Sequence, residues 1–153
     1  MSHDYPEYPS HAAFTLIELI AVLAIIAILG ALALPSYQTA VRTARRAEAK
    51  TALLSLMQQQ EQVYAQRSAY VIFSAHSSAP DARSFKWFSG NTPATSAYEI
   101  EALPCSGKLI SQCVALIARP GTSNVNTHYL DRHCGSLQID SYGRKTAEGE
   151  DCW

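Results

Sequence analysis

The sequence predicts an α+β protein in which one long N-terminal helix packs on a small antiparallel sheet of about four strands. An unbroken apolar run is followed directly by a stretch of helical periodicity, and together they extend to residues 66–68. Segments with the alternating pattern of strands come only after this helix. Strands that are grouped after a single helix, instead of alternating with helices, are typical of α+β folds.

The first half of the predicted helix is long enough to cross a membrane. No polar side chain interrupts Leu19 to Leu34, and the run counted from Phe14 spans 21 residues, about 31 Å of helix. Glu18 lies near the start of this run, where an acid costs less than the roughly 2.5–3.5 kcal/mol of a central one. The alternative is a secretory signal peptide cleaved after residues 32–34, but its apolar region would be unusually long and would contain a charge.

Beyond Pro35 the pattern changes to that of an amphipathic helix. Apolar residues recur at helical spacing, and residues 47–62 hold strong helix formers without Gly or Pro. We expect the apolar stripe, which includes Met57, to pack on the sheet. The charged residues are expected largely on the other faces: Arg45, Arg46, Glu48 and Lys50.

Three strands are predicted with residue bounds, and a fourth is expected after them. Residues 69–97 contain turn signals and are predicted to be an irregular connection. AYEIEAL (97–103) alternates apolar residues with glutamates, which indicates a half-buried strand. CVALIA (113–118) and SLQIDS (136–141) are the second and third strands, and a short fourth follows Tyr142-Gly143.

All four cysteines lie in the last third of the chain, and none has the C-x-x-C spacing of zinc or thioredoxin-type sites. An even number beyond a hydrophobic segment predicts two disulfides in an oxidising compartment. Three connectivities are possible. The nearest-neighbour one joins Cys105 to Cys113 and Cys134 to Cys152, and these bonds would contribute about 2.5 and 3 kcal/mol.

Enzyme and metal signatures are absent from the sequence. It contains no G-x-S-x-G, H-E-x-x-H, Walker A or G-x-G-x-x-G motif, and its five histidines lack metal-ligand spacing. We therefore predict no enzyme activity, no catalytic residue, no metal and no cofactor. The formal net charge of −1 is too even to predict a polyanionic partner from bulk charge alone.

The stretch FTLIELIAVLAIIAILGALALPSYQ, residues 14–38, closely resembles the N-terminus of type IV pilins. In that family a prepilin peptidase cuts before the Phe and methylates the new amine, which here implies cleavage between Ala13 and Phe14. The resemblance also implies that Glu18 registers each new subunit against the Phe amine of the last. Pro35 matches the family's helix-weakening proline, because it removes a backbone hydrogen bond.

The resemblance implies a domain organisation and a location. Residues 1–13 would be a leader peptide, residues 14–35 a transmembrane and filament-core helix, and residues 36–153 a globular head that includes the second half of the helix. The chain would be inserted once in the inner membrane with a periplasmic head. It would then assemble with other pilin subunits into an extracellular pilus.

Two features depart from the family pattern. Ala13 stands where pilins usually have Gly, and the leader contains Asp4 and Glu7 where it is usually basic. The first basic cluster, Arg42 with Arg45 and Arg46, follows the apolar run, so the positive-inside rule alone would leave the head in the cytoplasm. The cysteines and the cleavage motif instead require the head to lie outside.

The C-terminal stretch CGSLQIDSYGRKTAEGEDCW resembles the disulfide-closed last loop of minor pilins. We therefore predict a minor pilin of the type IV pilus. The alternative is a minor pilin whose head also binds double-stranded DNA during natural transformation, because cations contact phosphates and aromatic rings stack on bases. A secretion pseudopilin is a third reading, which the closed tail disfavours. The candidate DNA contacts lie in predicted loops: Arg83, Lys86, Trp87, Lys108, Arg132, Arg144 and Lys145.

Overall fold

The computed structural model describes residues 15–153, apart from the side chains of residues 32–35. Ala13, Phe14 and the predicted leader therefore lie outside the described residues, as does the side chain of Pro35. Consecutive strands pair in antiparallel fashion in the order β1-β2-β3-β4, which confirms the predicted α+β fold. The elements are helix α1 (Leu16–Arg67), helix α2 (Pro80–Arg83), a 3₁₀ turn (Pro93–Thr95) and strands β1 (Tyr98–Pro104), β2 (Val114–Pro120), β3 (Leu137–Asp140) and β4 (Lys145–Ala147).

The start of α1 is capped by Thr15. The Thr15 carbonyl accepts hydrogen bonds from the backbone N–H groups of Glu18 (3.1 Å) and Leu19 (3.2 Å), and Thr15 Oγ1 accepts the Glu18 N–H at 3.3 Å. Thr and Glu three residues apart are the two positions of a capping box. A negative charge in the first turn also interacts favourably with the helix dipole. An acid at position 18 thus favours the start of the helix, although this position lies within an apolar run.

The chain is divided into two compact units, one that ends at Ala40 and one that comprises Val41–Trp153. In the first unit, the large apolar side chains from Leu16 to Leu29 are exposed. By length and composition, α1 contains a segment that could cross a membrane.

The second unit has its core between α1 and one face of the sheet, which we call the inner face. The α1 residues that are buried here follow helical spacing, and the strand residues alternate as the sequence predicts. The buried apolar residues of the two elements are Ala49, Leu53, Leu56, Met57, Tyr98, Ile100, Ala102, Val114, Leu116, Ala118, Leu137 and Ile139. Gln60 is fully buried in the same stripe. Its amide donates to the Val71 carbonyl (2.6 Å) and accepts the Val71 N–H (2.9 Å), so the polar group is satisfied.

The connection between α1 and β1 covers the β1 edge of the sheet. The backbone of Phe73 accepts a hydrogen bond from Ala102 (2.9 Å), and that of Trp87 accepts one from Ile100 (2.7 Å). Sheet edges left unpaired are templates for aggregation, so this cover protects β1. The predicted irregular connection is therefore ordered by the sheet and contains the one-turn helix α2.

Two disulfides close the loops that flank the sheet. They join Cys105 to Cys113 and Cys134 to Cys152, with Cα–Cα distances of 5.4 and 5.6 Å. This is the nearest-neighbour connectivity. The first bond closes the β1–β2 loop, and the second ties the chain before β3 to the C-terminal segment.

Candidate nucleic-acid interface

The face of the sheet that points away from α1, here called the outer face, carries a mixture of polar and apolar side chains. The register pairs Glu101 with Ile117 and Ile117 with Gln138 across three strands. Because side chains alternate along a strand, the outer face of β2 also contains Ala115 and Arg119. None of these residues belongs to the main core that α1 covers.

A cavity of about 480 Å³ opens on the outer face between the β1–β2 loop and the β3–β4 turn; we call it the sheet cavity. Its apolar lining comes from Leu103, Ala115 and Ile117. The rim carries two candidate DNA-contacting residues, Lys108 from the first loop and Arg144 from the second. The fold thus brings together two cations that are 36 positions apart in the sequence.

Lys108 is positioned by the short disulfide-closed loop. The Lys108 N–H donates to the Cys105 carbonyl at 3.0 Å, and the Cys105 N–H donates to the Cys113 carbonyl at 3.2 Å. Gly107, which directly precedes Lys108, has a φ of +69°, a conformation that favours glycine. The Lys108 side chain is exposed and forms no ion pair within residues 15–153.

Arg144 is held from two sides. Its Nε donates to Asp140 Oδ2 at 2.7 Å, and its backbone N–H donates to Asp140 Oδ1 at 3.0 Å. The guanidinium carbon lies 5.6 Å from the centre of the Tyr142 ring, within the range of a cation–π contact. Asp140 neutralises part of the Arg144 charge. Because the Asp140 carboxylate is buried, it also fixes the direction of the Arg144 side chain.

A second cavity of about 330 Å³, the arginine cavity, is lined by Arg119 and Arg132. Arg119 forms an ion pair with Glu101 on the neighbouring strand. Arg132 is exposed and, in the described part of the chain, has no ion pair. The two cavities therefore give the outer face four cations, two in ion pairs with acids and two without an ion pair, and the arginine cavity is also lined by Asp131 and Glu148.

The loop that carries Arg132 is anchored by its neighbour Asp131. The Arg46 guanidinium donates from Nε to Asp131 Oδ2 (2.5 Å) and from Nη2 to Oδ1 (2.7 Å). Tyr98 Oη donates to Oδ2 at 2.7 Å, and the backbone N–H groups of His133 and Cys134 donate to Oδ1 at 3.3 and 3.1 Å. The expectation that Arg46 faces away from the core is wrong, because this buried carboxylate draws it inward.

The charges in this network shift the pKa values of its members. Burial alone would raise the pKa of Asp131, but hydrogen bonds from Arg46, Tyr98 and the Cys134 N–H hold it below the usual range of a carboxyl group. Burial raises the pKa of Tyr98, and its neighbours Tyr129 and Asp131 raise it further. At neutral pH the network therefore holds one carboxylate, one guanidinium and neutral tyrosines.

The remaining candidate DNA contacts lie elsewhere. Lys145 and Lys50 approach the Trp153 ring, with Nζ 5.5 and 6.0 Å from its centre. Lys86 lines a groove beside α1. Arg83 lies on α2, which contacts α1 through a hydrogen bond from Gln59 to the Ser84 carbonyl.

Trp87 is half-buried against the main core and makes an edge contact with Phe88, their ring centres 5.1 Å apart. Its packing gives the ring a structural role. Trp87 therefore does not line the sheet cavity, although the sequence analysis grouped it with Lys108 and Arg144 as a candidate DNA contact.

Metal binding has little support in the described residues. The clusters of possible ligands are His133 with Cys134 and Cys152, and Asp140 with Cys105 and Cys113. Each contains a disulfide, whereas cysteine ligands must be thiolates. Neither cluster can serve as a metal centre while the disulfides are intact.

A family profile described as "Type IV minor pilin ComP, DNA uptake sequence receptor" matches residues 35–138, more than half of the chain. The chain belongs to this family of type IV minor pilins. The prokaryotic N-terminal methylation motif matches residues 9–34 of this minor pilin. These matches confirm the predicted minor pilin, and the N-terminal motif together with the apolar helix indicates membrane anchoring and pilus assembly.

Two solved structures are similar to this minor pilin. A type IV pilin from Shewanella oneidensis is 23% identical, with 72% of this chain and 96% of that chain covered and a TM-score of 0.46. The non-core minor pilin PilV from Neisseria meningitidis is 20% identical, with 72% and 90% covered and a TM-score of 0.47. Among curated proteins, no sequence matches the chain.

Proposed function

We propose that this minor pilin binds double-stranded DNA through the outer face of its sheet and acts as a receptor in DNA uptake. The observation that carries the proposal is the convergence of Lys108 and Arg144 on one cavity from two separate loops. The family description, a DNA uptake sequence receptor, agrees with it. Phosphate contacts by Lys and Arg supply much of the affinity of DNA-binding proteins.

The spacing of the two cavities along β2 suits a duplex. The sheet cavity reaches Ala115 and the arginine cavity reaches Arg119 on the same strand. Four residues of β-strand span about 13 Å, which is close to the roughly 12 Å width of the major groove. Cations at the two ends can therefore contact phosphates on both sides of one groove. Lys108 and Arg132 should contribute most, because neither is paired with an acid.

Variants of the isolated head test this proposal. A fragment of residues 41–153 keeps the whole buried core and both disulfides. Its binding to a fluorescent 24-base-pair duplex is followed by anisotropy at low salt. We expect Lys108→Ala and Arg132→Ala each to weaken binding by about fivefold, the equivalent of about 1 kcal/mol for an exposed ion pair.

Arg83→Ala is the matched control, since it removes an exposed cation on α2 beside α1. It should change the affinity by less than about twofold. If the wild-type head fails to bind the duplex, or if all three substitutions weaken binding equally, the outer face is not the DNA-binding surface.

We further propose how the subunit reaches the filament. Prepilin peptidase cuts between Ala13 and Phe14, and the new amine is methylated. Residues 14–35 cross the inner membrane once, with the head in the periplasm, before Glu18 registers the subunit in the pilus. The N-terminal methylation motif supports this route. Intact-mass analysis of membrane-extracted protein should find a chain that begins at N-methylated Phe14, and a chain that begins at Met1 or follows Ala33 would contradict it.

A further inference from the structure

The sheet cavity has features that contacts to phosphates do not require. Between its two cations lies an apolar lining to which Ile117 and Ala115 contribute. The Tyr142 side chain lines the same cavity and is 59% exposed. A volume of about 480 Å³ is within the range of roughly 300–1,000 Å³ that is typical of pockets for small organic ligands. The cavity thus offers apolar contact area and an accessible aromatic ring.

Gln138 adds an unused hydrogen-bonding group to this cavity. It lies on β3 directly opposite Ile117 of β2 and lines the cavity. Within residues 15–153, its side-chain amide has no hydrogen-bond partner, whereas the carboxylate of Asp140, also in the lining, is already bonded to Arg144. A primary amide carries both donors and an acceptor. Glutamine side chains can use these groups to pair with the edge of a nucleic-acid base.

We propose that the sheet cavity binds one unstacked nucleobase of the DNA, an inference that rests on the proposed DNA binding. The base contacts the apolar lining and the Tyr142 ring, and the Gln138 amide pairs with its polar edge. Lys108 and Arg144 on the rim contact the phosphates on either side. Aromatic side chains in proteins that bind single strands stack on bases in this way.

The energetic balance decides which DNA fills the cavity. A paired base must be unstacked and unpaired before it can leave the helix, whereas moving an unpaired base out of the helix costs much less free energy. A fully paired duplex should therefore bind through its phosphates and leave the cavity unused. A duplex with one unpaired base should bind through the same phosphates and, in addition, fill the cavity.

Three DNA probes test this inference with the fragment of residues 41–153. They are a paired 24-base-pair duplex, the same duplex with one bulged thymidine, and the same duplex with one bulged abasic site. We expect the bulged thymidine to bind about tenfold more tightly than the abasic bulge. Because both bulges make the duplex flexible, this comparison isolates the contribution of the base from that of bending.

Two variants locate the base. Ile117→Trp fills the cavity and Gln138→Ala removes its amide, so each should abolish the preference for the thymidine bulge over the abasic bulge. Thr146→Trp is the matched control, since Thr146 is paired with Gln138 but does not line the cavity. Circular dichroism and thermal unfolding check that each variant is folded.

The outcomes separate the two proposals. Failure of the wild-type head to bind any duplex overturns the DNA-binding function itself. Binding of the paired duplex with equal affinities for the two bulges leaves that function in place and overturns the base-binding cavity. A thymidine preference that persists in folded Gln138→Ala and Ile117→Trp also overturns it, because the base would then bind elsewhere.

Discussion

Arg46 of α1 and Asp131 of the loop before β3 form a two-bond ion pair, with N–O distances of 2.5 and 2.7 Å. The Asp131 side chain has no exposed surface, and that of Arg46 is 18% exposed. The pair therefore fixes the loop that bears Arg132 to the helix that continues into the N-terminal apolar segment. It connects α1 with the loop that lines the arginine cavity, on the proposed DNA-binding side of the head.

Replacing Asp131 with Asn should destabilise the head by about 3–5 kcal/mol, because it leaves a largely buried guanidinium without a charged partner. Urea unfolding of the 41–153 fragment measures the change. The control is Asp81→Asn, which breaks the exposed ion pair with Arg67 and should cost at most about 1 kcal/mol. Equal losses for the two substitutions would mean that the Arg46–Asp131 pair contributes no more than a surface pair.

The lowered pKa of Asp131 predicts acid sensitivity. In the unfolded chain an aspartate titrates near pH 3.9, so at low pH the unfolded state binds the proton more readily than the folded state. The stabilisation is complete above about pH 5 and is lost as the pH falls towards the lower folded value. The difference in unfolding free energy between wild type and Asp131→Asn should accordingly shrink from pH 6 to pH 3. A constant difference over that range would show that Asp131 is not the titrating group.

The Cys134–Cys152 disulfide should be a second major source of stability. It closes a loop with a sequence separation of 18 residues, for which the entropy model gives about 3 kcal/mol. The double substitution to Ser should reduce the unfolding free energy by about that amount. Cys105→Ser with Cys113→Ser should cost slightly less but should weaken DNA binding more, because Lys108 lies in that loop. The reverse order of effects on DNA binding would contradict the assigned role of Lys108.

The elements of the head followed from local sequence patterns. Tyr98, Ile100 and Ala102 alternate with two glutamates, and the same residues form β1 with the apolar side chains inward. The helix, too, ends within the predicted range, at Arg67. Periodicity reports the environment of neighbouring residues, so it predicts elements well.

Long-range partners were not predictable in the same way. Arg46 and Asp131 are 85 positions apart, and neither has a local pattern that names the other. The same holds for the cations. The sequence analysis placed Lys108, Arg144 and Lys145 in loops, but in the structure Lys145 approaches the Trp153 ring, whereas Lys108 and Arg144 line the sheet cavity. The start of α1 was predictable from the sequence, because Thr15 and Glu18 match the two positions of a capping box.

The capping-box position of Glu18 makes the prediction for this residue sharper. If Glu18 registers the subunit through its charge, both Glu18→Ala and Glu18→Gln should block incorporation into pili, while Thr15→Ala should not. If Glu18 matters only to the helix end, Gln should substitute well, because Gln also serves in capping boxes. Immunoblots of sheared pili and of membranes measure incorporation and insertion. Normal amounts of the Gln variant in pili would contradict registration.

The salt dependence of DNA binding tests the central claim most directly. The two unpaired outer-face cations, Lys108 and Arg132, predict a slope of about −1.8 for log K against log salt concentration, and the slope reaches about −3.6 if Arg119 and Arg144 also contact phosphates, since each contact contributes about −0.9. Anisotropy titrations of the 41–153 fragment over about an eightfold range of NaCl concentration, from about 25 to about 200 mM, give this slope. We expect the Lys108→Ala, Arg132→Ala double variant to lower its magnitude by about 1.8. A wild-type slope near zero, or the same slope in the double variant, would contradict DNA binding by the outer face of the sheet.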